Sequence, residues 1–422
     1  MSRDRTMTAR SAAEPSLDGT RFPTPAYVYD LRQVRRSHRR LSSTLPHPSV
    51  LCYSLKANPH PILVAALAEL GCWAEVSSIG EVVIAIAAGV PPNRILFTGP
   101  GKSTDDVTSA VRAGVRTFSV DSPTALAQVG RAVQGPDVDC LLRLNATQGL
   151  SGQGLAMAGE TSQFGADAEW VIRRPERFRT GVTGLHLYLG SNLASEAALL
   201  AQFQLAIDTA RAVSDVLGGP LRILNLGGGF GAPYARAGDC PAYPDLADHL
   251  ASTLDQTFPG WRRGRPQVFF ESGRHLVAAA GQLLTKVADV KYSSGRPVVV
   301  LESGINHLGG MSGLRRLPQL VPDLLADDRD GVLDDAMVTG PLCSPLDTWA
   351  THTRLPALRP GDTVRIPNVG AYGLSASLIA FLGHPAPYEV VVDGAELIDI
   401  SRLVVERTVQ QFPIADQEGQ VT

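Results

Sequence analysis

The feature that most constrains this chain is an alternation, repeated eight times between residues 50 and 271, of short β-rich runs with Ala/Leu-rich segments of helical length. The runs fall at residues 50–54, 73–76, 94–98, 116–120, 138–145, 182–189, 222–226 and 267–271. Stretches such as residues 61–70, 195–217 and 243–257 lie between them. A crossover of helical length returns each strand to the same end of the sheet, so such strands pair in parallel. Eight units predict a closed TIM-type (β/α)8 barrel over residues 35–280, in line with the usual span of about 250 residues.

From residue 281 onward the pattern changes. Apolar runs at 283–290, 297–301, 336–339, 363–366 and 388–392 are strand-like and separated by turn residues. They predict a second, antiparallel β domain over residues 281–410, joined by residues 21–34, where Tyr27, Val28 and Tyr29 signal one more strand. Residues 1–20 and 411–422 are expected to be loose tails.

Composition removes several function classes. A net charge of −3 without a long basic run argues against a nucleic-acid partner. No apolar stretch reaches the roughly 18–20 residues of a membrane span. The first twenty residues lack the apolar core of a signal peptide. Five scattered cysteines without a Cys-x-x-Cys pair fit neither a disulfide framework nor a structural zinc site. The expectation is a cytoplasmic protein without a metal.

Chemistry in such a barrel sits where the strands end. Seven of the eight runs carry polar residues there: Lys56, Glu75, Asp121, Arg143, the group His186, Tyr188 and Ser191, the glycines Gly227, Gly228 and Gly229, and the pair Glu271 and Arg274. Lys56 follows a largely apolar run, and desolvation favours the neutral amine that Schiff-base chemistry needs. Gly227, Gly229 and Ala232 fit a dinucleotide fingerprint, but Pro233 and the polar stretch after it do not open the helix that motif requires. A glycine nest for a single phosphate is the better reading, with Ser191 as an added donor. Val268, Phe269 and Phe270 carry Glu271 into the barrel end, where a carboxylate wants a cationic partner such as a protonated pyridine nitrogen. A lysine for an aldehyde, a nest for a phosphate and a glutamate for a pyridinium together describe a pyridoxal 5′-phosphate (PLP) site.

These motifs resemble the fold type III PLP-dependent decarboxylases, the group of diaminopimelate, ornithine and arginine decarboxylases related in barrel fold to alanine racemase. Tyr53-Ser54-Leu55-Lys56-Ala57-Asn58 is similar to the family's Schiff-base motif. Residues 184–192 resemble its sixth-strand motif, which supplies a ring-stacking residue and a phosphate-binding serine. Leu226-Gly227-Gly228-Gly229-Phe230-Gly231 resembles its phosphate loop, and Glu271-Ser272-Gly273-Arg274 the segment meeting pyridine nitrogen and phosphate. Gly340-Pro341-Leu342-Cys343 and Gly370-Ala371-Tyr372 resemble two β-domain motifs. The resemblance implies a homodimer in which Tyr372 and Cys343 reach the partner's site, the tyrosine onto phosphate and the cysteine beside the substrate. It implies α-decarboxylation through a Schiff base at Lys56 and a quinonoid carbanion, reprotonated by Lys56 or Cys343. The racemase relatives carry arginine at the pyridine nitrogen, so Glu271 favours decarboxylation over racemisation, which stays the alternative along with diaminopimelate decarboxylation in lysine biosynthesis.

Departures from the family pattern bear on the substrate. The stacking position, usually histidine, is either His186 or Tyr188. Diamine-forming members carry an acidic residue directly after the cysteine, where this chain has Ser344, and Asp347 nearby is a possible substitute. Cys343-Ser344-Pro345-Leu346-Asp347, with Gly304-Ile305-Asn306-His307, looks more like decarboxylases of specialised-metabolite pathways. Some of those act on aminoacyl groups held by an acyl carrier protein, and Arg315 with Arg316 would suit a carboxylate or a carrier phosphate.

Overall fold

The computed structural model describes residues 22–133, 137–146, 155–156, 162–309, 320–326 and 330–408. The two expected tails, residues 1–20 and 411–422, and the pair Arg315 and Arg316 lie outside these residues.

Eight parallel strands close the barrel: Val50–Ser54, Trp73–Val76, Ile95–Phe97, Thr117–Val120, Asp139–Asn145, Gly184–Leu187, Ile223–Asn225 and Gln267–Ser272. The last pairs back onto the first, with Glu271 opposite Cys52. Serines start several of the surrounding helices. Ser78, Ser103, Ser122 and Ser195 each accept the backbone N–H three residues on, and each such cap is worth about 1 kcal/mol.

Strand periodicity then places the chemistry. Side chains two apart on a strand share a face. The interior of the barrel is packed by Cys52, Leu96, Leu141, Ile223 and Phe269, with Val50 and Trp73 against them. Two residues further toward the strand ends stand Ser54, Thr98, Arg143, Asn225, Glu271 and Glu75. Ser119 and His186 hold the same offset from Thr117 and Gly184. All eight of these polar residues are buried. Every barrel strand therefore contributes one buried polar side chain to a band at the mouth, above an apolar plug. The outward residues, among them Val268, Phe270, Leu185 and Leu224, pack the main core beneath the helices.

The second sheet runs in the order Thr348–Pro356, Val332–Thr339, Arg296–Leu301, Gly281–Ser293, Ala26–Asp30, Tyr388–Asp393, Glu396–Arg402, with Thr363–Ile366 also paired to Gly281–Ser293. It is antiparallel-rich, with two parallel pairs: Ala26–Asp30 beside Tyr388–Asp393, and Arg296–Leu301 beside Val332–Thr339. The strands Thr348–Pro356 and Glu396–Arg402 were not expected. Their sequences interleave charged and polar residues, and most of their side chains are exposed or half-buried, so no apolar run marks them. Among the described residues no helix is long and apolar enough to cross a membrane.

The two sheets meet at the barrel mouth. The N–H of Gly370 donates to Ala278 and that of Val369 to Gly281, drawing the 368–373 loop onto the segment after the last barrel strand. A Cβ at Gly370 would strike the carbonyl of Val277, so only glycine permits this approach.

Candidate active site

Lys56 lies in the single turn Leu55–Ala57 directly after the first barrel strand. Its ammonium stands 3.4 Å from Glu75 Oε2 and 5.8 Å from the Tyr188 ring centroid. The hydroxyl of Thr98 donates to the other Glu75 oxygen. The lysine side chain is 44% exposed and opens into the mouth. Burial pushes its pKa down, as the sequence suggests, but Glu75, Tyr372, Tyr188 and Glu271 together reverse this and hold it above the ordinary lysine range. The expected neutral amine is thus corrected: the acidic wall outweighs desolvation.

Glu271 sits across the mouth at 2% exposure. Asn225 Nδ2 donates to its Oε1 at 2.7 Å, and His186 Nε2 stands 3.2 Å from the same oxygen. Oε2 has no hydrogen-bond partner among the described residues. Burial pushes this carboxyl up, yet His186, Lys56 and the Asn225 amide outweigh it and bring it down to about 2. An anionic oxygen is therefore presented where a protonated ring nitrogen would be received.

The phosphate end is equally formed. Gly227 and Gly229 have φ of 68° and 117°, a backbone available to glycine and strained for other residues. The carbonyls of Gly227, Gly228 and Gly229 accept from Glu271 N–H, Gln202 Nε2 and Leu193 N–H. The N–H groups of Gly228 and Gly229 are left without a partner among the described residues, as a nest for an anion requires. The Arg274 guanidinium lies 4.6 Å from the Tyr372 ring and 5.7 Å from Tyr234, and its Nε is buried without a partner. A Cβ at Gly273 would crowd the Ala57 Cβ at 2.7 Å, so glycine there lets the arginine turn pack against the lysine turn. Burial raises the Tyr188 hydroxyl above its usual pKa, against the opposing pull of Lys56 and Ser191. Arg143 lies over Phe164 at 4.6 Å and 6.0 Å from the Tyr188 ring. An amine, a free carboxylate oxygen, unpartnered N–H groups and an unpaired arginine nitrogen fit a phosphorylated pyridine aldehyde.

The two candidates for ring stacking differ in their surroundings. His186 is 1% exposed, with Ser119 Oγ 2.8 Å from Nδ1 and Glu271 Oε1 3.2 Å from Nε2, so the ring sits buried beside the carboxylate. Tyr188 is the ring that stands between Lys56, Arg143 and the glycine loop.

Two expectations are corrected. Tyr372 lies in its own chain's mouth, its N–H donating to Ala57 at 2.7 Å. The physical reason is the short 368–373 loop, pinned on both sides to the same barrel. Asp347, offered as a partner for a distal ammonium, is 2% exposed, and its two oxygens accept the N–H groups of Ile305 and Leu342, each at 2.8 Å. It joins the 304 and 340 loops, and its carboxylate is already committed. Ser344 is tied up locally, its Oγ accepting Leu346 N–H. Cys343 is exposed, and no hydrogen bond, ion pair or ring contact among the described residues joins it to the mouth.

Sequence reasoning missed Ser119, Asn225, Thr98 and Lys102. Lys102 follows the third strand, the one run given no polar residue. It half-buries its ammonium against the Gly99 carbonyl, and burial with the nearby Arg143, against the opposing pull of Asp121, lowers its pKa to about 8. Asp121 itself accepts the Gly165 N–H at 2.7 Å, a loop-holding contact.

Comparison with known proteins agrees with this chemistry. The chain is 30% identical to the L-glutamyl-[BtrI acyl-carrier protein] decarboxylase of Niallia circulans, over 88% of this chain and 89% of that protein. It is 31% identical to a diaminopimelate decarboxylase of Pseudomonas fluorescens, over 90% of this chain and 91% of that one. The crystal structure of diaminopimelate decarboxylase from M. jannaschii superposes with a TM-score of 0.80 at 25% identity, covering 91% of this chain and 90% of the other. Residues 31–278 match the family described as "Pyridoxal-dependent decarboxylase, pyridoxal binding domain". The carboxylate opposite Lys56, the glycine nest and this match lead to one assignment: the chain belongs to the pyridoxal-dependent decarboxylases.

Proposed function

We propose that this decarboxylase removes the α-carboxylate from an aminoacyl group presented on a carrier protein, and that the substrate lacks a distal ammonium. The carrying observation is the state of the loop after Cys343. Ser344 stands where a diamine-forming member has an acid, and Asp347 spends both oxygens on backbone N–H groups. The loop therefore offers no free carboxylate to a second cation. The similarity to a glutamyl carrier-protein decarboxylase supports the same reading.

The chain's own residues divide the work. PLP, when bound, supplies an electron sink for the bond to the departing carboxylate. Lys56 Nζ binds the aldehyde and afterwards holds a proton at the mouth. Glu75 orients that amine and favours its charged form, so the amine has to give up a proton before it joins the aldehyde. Glu271 Oε2 holds the proton on the ring nitrogen, where the arginine of racemases would not. Tyr188 covers the ring face as a neutral aromatic. Gly228 and Gly229 N–H groups, Arg274 and Ser191 receive the phosphate. Cys343, exposed on the β domain, is supplied to a partner's mouth in a homodimer and delivers a proton there. Such a protein works in the cytoplasm.

The test is CO2 release from L-glutamyl thioesters on a carrier protein and on pantetheine, beside free glutamate, lysine, ornithine and meso-diaminopimelate. The expected result is turnover of thioesters, lost in Lys56→Ala. Ordinary turnover of diaminopimelate with none of the thioesters would transfer the chain to lysine biosynthesis. Racemised substrate without CO2 would make it an isomerase.

A further inference from the structure

We propose that Ser119 is a positioning residue that acts through His186 to set the charge Glu271 presents to the cofactor's ring nitrogen. This rests on the reading that Glu271 meets that nitrogen. Four barrel strands each give one member of a buried chain: Ser119, His186, Asn225 and Glu271, none more than 2% exposed. Ser119 Oγ lies 2.8 Å from His186 Nδ1, and the opposite nitrogen, Nε2, faces Glu271 Oε1 at 3.2 Å. Asn225 donates to that same oxygen at 2.7 Å, and its own Oδ1 accepts the Gly227 N–H at 2.8 Å. Oε1 is thereby filled from the protein side and Oε2 is left for the ring.

The assignment of protons follows. A bare nitrogen lone pair facing a carboxylate oxygen is repulsive, so Nε2 carries hydrogen. Nδ1 is then either bare or protonated, and a serine hydroxyl serves either case, because it donates and accepts. A protonated ring nitrogen at Oε2 changes the balance. A second cation at Nε2 would divide the carboxylate's charge between two partners, with Lys56 also near. A Ser119 hydroxyl donating to Nδ1 takes up the lone pair there. Glu271 then turns its full negative charge to the ring nitrogen, which is what keeps that nitrogen protonated. The same contact fixes the ring plane of His186, and through it the Glu271 carboxylate.

The experiment uses the full-length holoenzyme with Ser119→Ala, Ser119→Thr and Glu271→Gln. The visible absorption of bound PLP, the PLP dissociation constant, and kcat and KM are measured. Ser119→Ala is expected to shift the balance of cofactor absorption bands in the direction Glu271→Gln does, and to lower kcat about tenfold, the scale of one buried hydrogen bond, with KM nearly unchanged. Ser119→Thr, which keeps the hydroxyl, restores both. If Ser119→Ala lowers only the melting temperature while bands, dissociation constant and kcat stay wild-type, and Glu271→Gln still shifts the bands, the serine merely packs and the proposal is overturned. If Glu271→Gln leaves the bands unmoved too, the placement of Glu271 at the ring nitrogen fails first. Should Ser119→Ala not fold, Ser119→Cys, close in volume and a weak donor, carries the same outcomes.

Discussion

Tyr372 of the β domain donates its backbone N–H to the carbonyl of Ala57, the residue after Lys56, at 2.7 Å. Asn58 Nδ2 donates back to Gly370 at 2.9 Å, and Tyr234 to the Tyr372 carbonyl at 2.8 Å. The nucleophile's turn and the β-domain loop are therefore one hydrogen-bonded unit within a single chain, strong enough to hold Tyr372 at a φ of 54°. Single residues in that region cost about 1–3 kcal/mol unless the surroundings fix them.

This unit makes a complementation prediction. Tyr372 acts on its own chain's Lys56, whereas Cys343 is proposed to act across a dimer. Mixing Lys56→Ala with Cys343→Ala subunits should restore part of the activity through hybrid sites, and mixing Lys56→Ala with Tyr372→Ala should restore none. Rescue in the second mixture would disprove the single-chain arrangement. Absence of rescue in the first, with hybrid dimers demonstrated by sedimentation, would remove Cys343 from the shared site.

Glu271 gives a stability prediction with a definite sign. Its carboxyl falls from 4.5 in the free side chain to about 2 in the fold. A depressed folded value contributes stability that is complete above about 4.5 and is lost as pH falls toward about 2. Melting temperature should drop across that window in the wild type, and Glu271→Gln should lack this component of the drop. Parallel acid curves for the two proteins would contradict it.

His307 adds a second limb at higher pH. Burial, with His384 and Arg402 nearby, lowers it from 6.5 to about 4 although Pro385 accepts from its ring. The unfolded chain then binds the extra proton, so stability declines as pH falls from about 6.5 to about 4. His307→Gln should flatten that slope in urea titrations, and an unchanged slope would assign it elsewhere.

Asp347→Ala should destabilise the β domain. It leaves the Ile305 and Leu342 N–H groups unpaired where the carboxylate is only 2% exposed, at about 1–3 kcal/mol for each buried donor. The loop bearing Cys343 loosens with it, so the thiol should react faster with a disulfide reagent. Wild-type stability together with wild-type thiol reactivity would show that the carboxylate holds nothing.

Glu75→Gln removes the strongest influence raising the Lys56 pKa. The amine should lose its proton at lower pH, and the pH profile for attaching PLP to apoprotein should move down. A profile that stays in place would mean that the remaining wall, Tyr188, Tyr372 and Glu271, sets the amine alone.

The barrel was legible because short β-rich runs and helical spacers alternate over eight units, and residues such as Lys56 and Glu271 stand out as charges after apolar runs. Ser119, Asn225 and Thr98 hold the same offset from interior residues as Glu75 and Arg143 do, but small polar residues are common at strand ends and give no local contrast. Which face they share becomes visible only once the strand register is known. The stacking ring stayed open between His186 and Tyr188 for a related reason: they are two apart, and they differ only in the surroundings the fold gives them. The strand Glu396–Arg402 was missed because an edge strand bearing charges carries little apolar signal.

The strand Ala26–Asp30 lies between Gly281–Ser293 and Tyr388–Asp393. A ribosome therefore releases the whole barrel before either neighbour of that strand has emerged, and the second neighbour follows about a hundred residues after the first. The nascent protein keeps Tyr27 to Tyr29 waiting with a vacant sheet edge on each side for about 250 codons, and with one edge still vacant for about a hundred more. Co-translational protection of that short segment, by a chaperone or by transient burial against the finished barrel, becomes a requirement of the architecture.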